Sequence, residues 1–232
     1  MVYQGSKAAI ADKILPIILY GRKPGQVYVE PFAGGCNTLC KVSGPRIASD
    51  QNKYLIALWK GLQEGDSLRR LSYSRNLYDG CRIDVAAQVC YSDFEIGAVG
   101  FIASYAGKFF GGYNATNGRR NYIDERIRNI ERQIPGLKGV DFRHTDYRKL
   151  RIPPKSIVYA DPPYRGTTAY KTPFDYDAFI EWCYRISDEG HLLFVSEYAP
   201  PTGDFTEVWA GKGYTILNRV RNERTEKLFT LI

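Results

Sequence analysis

Apolar residues along this chain of 232 residues follow two rhythms, one near 3.6 and one continuous over short runs. Ile10, Ile14, Ile17 and Ile18 recur at helical spacing and predict a helix over 8–19, with Pro16 as a kink. Val27-Tyr28-Val29-Glu30 reads as a short buried strand, broken by Pro31-Phe32-Ala33-Gly34-Gly35. Arg46-Ile47-Ala48-Ser49, set off by Gly44-Pro45, reads as a second strand ending at Asp50. Residues 52–64 carry a helical pattern. The stretch from 66 to about 107 is expected to be mostly helical, interrupted near Asn76–Gly80. Asn117-Gly118, between Tyr113 and Tyr122, is a hairpin signal. Beyond it, Val140–Arg143, Ser156–Ala160 and His191–Ser196 are predicted strands, and 176–187 a helix. Residues 214–218 and 227–231 make a final strand pair. No internal repeat or low-complexity tract is visible.

Strands alternating with helices imply an α/β fold with a mostly parallel sheet covered on both faces. In such sheets ligands sit beyond the carboxyl ends of the strands. Acidic or glycine-rich strand ends are therefore where chemistry is expected.

Composition narrows the class. With 44% hydrophobic and 14% aromatic residues, the chain can bury a sizeable core and is not a disordered tail. Its length suits one large domain or two small ones. No run of 18 uncharged apolar residues exists, so no membrane span is expected. Residues Met1 to Lys7 lack a charged-then-apolar layout, so no secretory signal is expected either. Five cysteines (Cys36, Cys40, Cys81, Cys90, Cys183), no C-x-x-C pair and two histidines (His144, His191) argue against a zinc site or a disulfide framework. A reducing cytoplasm is the expected setting.

The formal net charge is +7. Residues 117–155 hold eleven Lys/Arg against five Asp/Glu, a local excess of six that accounts for nearly all of it. Such clustering points either to a nucleic-acid face or to a solvated helix around Arg126, Arg128 and Arg132.

Three strand ends carry candidate chemistry. In Glu30–Gly35 the glycine pair either lets a ligand approach the backbone or makes a tight turn; neither G-x-x-x-x-G-K-[ST] nor G-x-G-x-x-G is present. Asp50, about 15 residues on, either accepts from both hydroxyls of a ribose or caps the helix starting near Asn52; on its own the cap is favoured. Asp161-Pro162-Pro163-Tyr164 is more specific. Two prolines fix φ and remove two N–H donors. The Pro162 carbonyl and the Asp161 carboxylate are then adjacent acceptors, with Tyr164 as a flat stacking surface. That set suits an exocyclic amino group on a planar base; the bland alternative is a rigid loop.

These motifs, in this order, resemble the Dam-type DNA adenine-N6 methyltransferases, including those of phages. Tyr3-Gln4-Gly5-Ser6-Lys7 is similar to the family's N-terminal Tyr-x-Gly-x-Lys element, and Glu30–Gly35 to its methionine-binding loop. Asp50 falls at the ribose-binding acid, and His144-Thr145-Asp146-Tyr147 resembles the segment that contacts the cofactor adenine. Asp161–Tyr164 matches the catalytic motif. The resemblance implies a Rossmann-like methyltransferase sheet with helices on both faces and a small helical or hairpin insertion for target recognition. The catalytic domain would be 1–65 with 136–232, and the insertion 66–135. It implies S-adenosylmethionine as cofactor, S-adenosylhomocysteine as product and no metal. Tyr3, Lys7, Phe32, Ala33, Gly34, Asp50, Asp146, Tyr147, Asp161 and Phe174 would contact the cofactor. Asp161, Pro162, Tyr164 and Lys7 would act on a flipped-out adenine, with Phe174 as a second wall. Lys108, Asn114, Asn117, Arg119, Arg120 and Arg126 would face double-stranded DNA, the two asparagines either reading a base or shaping the turn. No membrane and no obligate protein partner is implied.

Two departures stand out. The insertion is shortened, and the family's Arg-x-x-x-(T/K)-x-E-x-x-x-x-N pattern is only partly matched around Arg224–Thr230, ahead of Ile232. Cytosine-N4 methylation and an inactive DNA-binding protein on the same scaffold are the alternatives.

Overall fold

The computed structural model describes residues 1–165, 174–217 and 220–231. Among them, seven strands form one sheet: β1 (Tyr28–Glu30), β2 (Arg46–Asp50), β3 (Val140–His144), β4 (Ile157–Ala160), β5 (Leu192–Glu197), β6 (Phe205–Leu217) and β7 (Val220–Leu231). Their order is β3-β2-β1-β4-β5-β7-β6. The first five are parallel, and β7 is antiparallel to both β5 and β6. This is the expected Rossmann-like α/β sheet, mostly parallel, with helices on both faces.

The middle strands are buried on both faces, which is why they read as unbroken apolar runs. Alternate residues serve opposite cores. Tyr28, Ala48, Ile157 and Tyr159 pack with α1 (Ala11–Ile18) and α2 (Lys53–Glu64), through Ile14, Ile18, Leu55 and Trp59. Val29, Ile47, Val158 and Ala160 face the other way, onto Phe179, Trp182 and Ile186 of α6 (Tyr176–Asp188). A third cluster joins α3 (Arg75–Ala87) and α4 (Asp93–Ile102) to Tyr54 of α2, through Tyr78, Cys81, Ile96 and Val99. The approach is close: a Cβ on Gly97 would lie 2.1 Å from the Tyr54 carbonyl oxygen. No helix among the described residues is long and apolar enough to cross a membrane.

Several boundaries differ from expectation. Asn76–Gly80 is not a break; it lies inside α3, because Ser74 caps the helix by accepting from Leu77 N–H. The chain turns instead at Gln88, with φ at 55°, where the Asp84 carboxylate accepts from the amides of Val89, Cys90 and Tyr91. Ser92 and Glu95 then form a capping box for α4. The cap of α2 falls to Asn52, whose side chain accepts from Tyr54 and Leu55 N–H, and not to Asp50. The hairpin at Asn117-Gly118 is closed by one bridge, Thr116 to Asn121, ahead of α5 (Tyr122–Glu131). The last strand pair is longer than its apolar residues suggest, and Asn218 lies outside the described residues.

Candidate active site

Strand order reverses where β1 sits between β2 and β4, and crevices form there beyond the strand ends. Four acids crowd this edge: Glu30 ends β1, Asp50 ends β2, Asp161 follows β4 and Glu197 ends β5.

The loop after β1 is held tightly. Ala33 N–H donates to the Ser49 carbonyl (2.8 Å), and Trp59 Nε1 donates to the Gly34 carbonyl (3.1 Å). Gly34 has φ of +46°, and a Cβ there would lie 2.8 Å from the Tyr3 ring. A Cβ on Gly35 would meet Tyr3 at the same distance. The glycine pair thus admits the Tyr3 ring across the loop, an approach any side chain would block. Asp50 takes Gly34 N–H on one carboxylate oxygen (3.1 Å) and Asn52 N–H on the other (2.9 Å). Burial pushes its pKa up, and these backbone donors hold it back.

Beside Asp50 stands an aromatic wall. The Phe32 ring centroid is 5.0 Å from that of Tyr147 and 5.9 Å from that of Phe174. Tyr147 is buried, and its hydroxyl finds no hydrogen-bond partner among the described residues. Burial raises its pKa to about 12. Asp146, expected at a cofactor, is already committed: it caps the turn at 147–149, pairs with Arg148 (2.7 Å) and accepts from Gln51 Nε2. An apolar wall with an orphaned hydroxyl, next to a strand-end carboxylate, has the chemistry to take an aromatic base and the diol of its ribose.

Across β1 lies the segment Asp161–Arg165. Lys7, 8% exposed, reaches into it from the N-terminal segment. Its Nζ lies 2.9 Å from Asp161 Oδ1, donates to the Gly5 carbonyl (3.0 Å) and sits 4.6 Å above the Tyr164 ring centroid. Burial opposes the ammonium charge, but Asp161 and Glu226 outweigh it and raise the Lys7 pKa. Burial raises the Asp161 pKa, with Lys7 opposing. Tyr164 donates its hydroxyl to Glu226 Oε2 (2.9 Å) and meets Tyr198 edge-on at 4.5 Å. The Tyr176 hydroxyl meets the Pro163 carbonyl (2.6 Å) and Glu197 Oε2, which also accepts from Arg165 N–H (3.2 Å). Of the four residues expected to act together, Lys7 contacts both Asp161 and Tyr164, and Pro162 lies between those two in the chain. Glu197, Tyr176, Tyr198 and Glu226 were not foreseen. Glu197 carries the same signal as Asp50 and Asp161, an acid ending a buried strand. Glu226 lies in the partly matched pattern at 224–230, which gave it no assigned role; the β7 pairing brings it here.

The basic segment needs correction. Arg126 is buried, 7% exposed, and its Nη1 donates to the carbonyls of Ile102 (2.7 Å) and Asn114 (3.0 Å). It fastens α5 to α4 and is withdrawn from the DNA face. Asn117 shapes its turn: Oδ1 accepts from Arg119 and Arg120 N–H, and Nδ2 donates to the Tyr122 hydroxyl. Asn114 gives its backbone N–H to the Ala103 carbonyl (2.7 Å). Lys108, Arg119 and Arg120 are exposed, Arg120 in a pair with Glu125 (2.7 Å). Arg128, Arg143 and Arg148 also pair with nearby carboxylates, so the segment holds less free positive charge than its residue count suggests.

One of three comparisons with known proteins, the family match, bears on the resemblance, over the N-terminal third of the chain. The family described as D12 class N6 adenine-specific DNA methyltransferase matches residues 3–79. No curated protein matches the chain. Among solved structures, a candidate methyltransferase, yhhF of Escherichia coli, is 11% identical with a TM-score of 0.36, over 96% of this chain and 82% of that one. SMU.472, a candidate methyltransferase in complex with SAH, is 12% identical with a TM-score of 0.38, over 97% of this chain and 53% of that one.

Proposed function

We propose that this chain, matched over residues 3–79 by the adenine-specific D12 class, is a DNA methyltransferase acting on the N6 amino group of a flipped-out adenine. The observation that carries the reading is the Lys7–Asp161–Tyr164 cluster at the strand-order switch, on the far side of β1 from the Phe32–Tyr147 wall and Asp50. When bound, S-adenosylmethionine supplies a methyl group on a sulfonium. Asp50 would take its ribose diol, Phe32, Tyr147 and Phe174 its adenine, and Tyr3, Ala33 and Gly34 its methionine part.

An adenine inside a duplex is out of reach, so the target base leaves the stack. Its amino group then donates to Asp161 and to the Pro162 carbonyl. Those bonds pull the nitrogen towards sp³ and aim its lone pair at the methyl carbon. The new N–C bond forms as the S–C bond breaks. The nitrogen becomes cationic and sheds one proton, for which the Asp161 carboxylate is the acceptor within reach. Tyr164 is buried, with Lys7 over its ring and its hydroxyl bonded to Glu226, so stacking on the base would require the ring to uncover a face. Most of the rate gain comes from orientation of an in-line transfer. Residues 66–135, with exposed Lys108, Arg119 and Arg120, supply the DNA face.

The test is methyl transfer from labelled S-adenosylmethionine to unmethylated duplex DNA, read as modified nucleosides by mass. N6-methyladenine is expected. N4-methylcytosine overturns the base assignment. No label, together with no cofactor-induced rise in Tm, overturns the enzyme reading.

A further inference from the structure

Glu226 lies in the partly matched pattern at 224–230, but its contacts are set by the fold. Strand β7 runs against β5, with Glu197 opposite Lys227, so residue 226 arrives at the carboxyl edge of the parallel strands. There its Oε2 accepts from the Tyr164 hydroxyl (2.9 Å) and lies 3.8 Å from Lys7 Nζ. Lys7 is thus bracketed by two carboxylates, Asp161 at 2.9 Å and Glu226 at 3.8 Å, above the ring that Glu226 itself anchors. The side chains of all three are largely enclosed, at 8%, 21% and 16% exposure.

The charges do not cancel within this triad. One ammonium faces two carboxylates, which leaves one net negative charge. The other ionisable neighbours are Tyr159 on β4, Tyr164 and Tyr198 in the flanking loops, and Glu30 at the end of β1. Burial lifts the pKa of Glu30, Tyr159 and Tyr164, so these three stay neutral near neutral pH and the excess remains the one carried by the triad. A site that must accommodate a sulfonium and an amine turning cationic is served by that excess. A lysine paired to Asp161 alone would neutralise the acceptor the amine needs.

We propose that Glu226 is a positioning residue for the transfer: it holds Lys7 and the Tyr164 ring in place and balances Lys7, so that Asp161 keeps its capacity to accept from the amine. This rests on the methyltransferase reading above.

The decisive variant is Glu226→Gln, which keeps the size and an acceptor for Tyr164 but removes the charge. Loss of one charge-assisted bond corresponds to a fall in kcat of roughly 10- to 100-fold. KM for S-adenosylmethionine should stay within about threefold, because Glu226 lies outside the cofactor wall. The acid limb of the kcat profile should move to lower pH, since a negative neighbour no longer raises Asp161. Glu226→Asp should restore part of both. A Glu226→Gln enzyme with wild-type kcat and an unmoved acid limb overturns the proposal. So does an equal loss in both variants tracking a loss of Tm, which marks a structural role only. Failure of wild type to methylate any base overturns the methyltransferase reading instead. The link to Lys7 is still decided by NMR titration of its Nζ, which Glu226→Gln should shift to lower pH and which an uninvolved Glu226 leaves unmoved.

Discussion

Glu30 offers a quantitative check on the electrostatics of this edge. It ends β1 at 3% exposure, accepts from the Tyr28 hydroxyl (2.8 Å) and is bonded to Thr38. Burial raises its pKa from 4.5 to about 8, while Thr38 and Tyr28 hold it back. At pH 7 the folded chain therefore keeps Glu30 protonated and the unfolded chain ionises it. A raised folded pKa means stability that is complete below about pH 4.5 and is lost as pH rises towards 8. At about 1.4 kcal/mol per pH unit, the loss between pH 4.5 and 7 is about 3 kcal/mol. Glu30→Gln keeps the shape and the carbonyl that Tyr28 donates to, and cannot ionise. An imperfectly paired amide costs about 1 kcal/mol. The variant should thus be equal to or weaker than wild type at pH 5 and more stable by about 2 kcal/mol at pH 7, rising to about 3 kcal/mol at pH 8. Urea unfolding at pH 5, 6, 7 and 8 measures the difference directly. Parallel stability curves, with no growth of the gap as pH rises, would refute the assignment of a neutral buried carboxyl.

Asp161→Ala should lower turnover by at least about a hundredfold while the cofactor-induced rise in Tm persists; preserved turnover in a folded variant rules out its role as acceptor. Replacing Arg119 and Arg120 together by Ala should reduce the salt slope of DNA binding by about one to two, measured by titration at several salt concentrations. Arg126→Ala should leave that slope unchanged and instead cost about 2–4 kcal/mol, because two buried carbonyls lose their donor; a changed slope would return Arg126 to the DNA face. Gly97→Ala sets a Cβ against the Tyr54 carbonyl and should destabilise by about 1–3 kcal/mol, seen in calorimetry as a Tm lower by several degrees; an unchanged Tm contradicts the α2–α4 packing.

Local chemistry made much of this protein legible in its linear order. Strand β4 is buried along its whole length and is a short unbroken apolar run, β1, β2 and β5 carry shorter apolar cores, and the fold class follows from their alternation with helices. Asp161 stands out because it closes an apolar strand and opens a Pro-Pro-Tyr segment, whereas Asp50 on its own reads as a helix cap. Caps and turns were harder to place. Asn76–Gly80 looks like a break until Ser74 is seen capping the helix that contains it, and the real turn at Gln88 depends on the Asp84 carboxylate gathering three amides.

Contacts between distant residues were decided only by the tertiary structure. Whether an arginine faces solvent depends on what packs over it, and Arg126 ended beneath α4, not on DNA. Lys7 meets Asp161 because the N-terminal segment crosses the glycine pair, and Tyr3 can lie there only where no Cβ intervenes. Glu226 joins them because β7 reverses direction beside β5. Residue types and strand ends are properties of neighbours in sequence. The charge balance around Asp161 belongs to four separate segments brought together by the sheet, and periodicity carries no record of that.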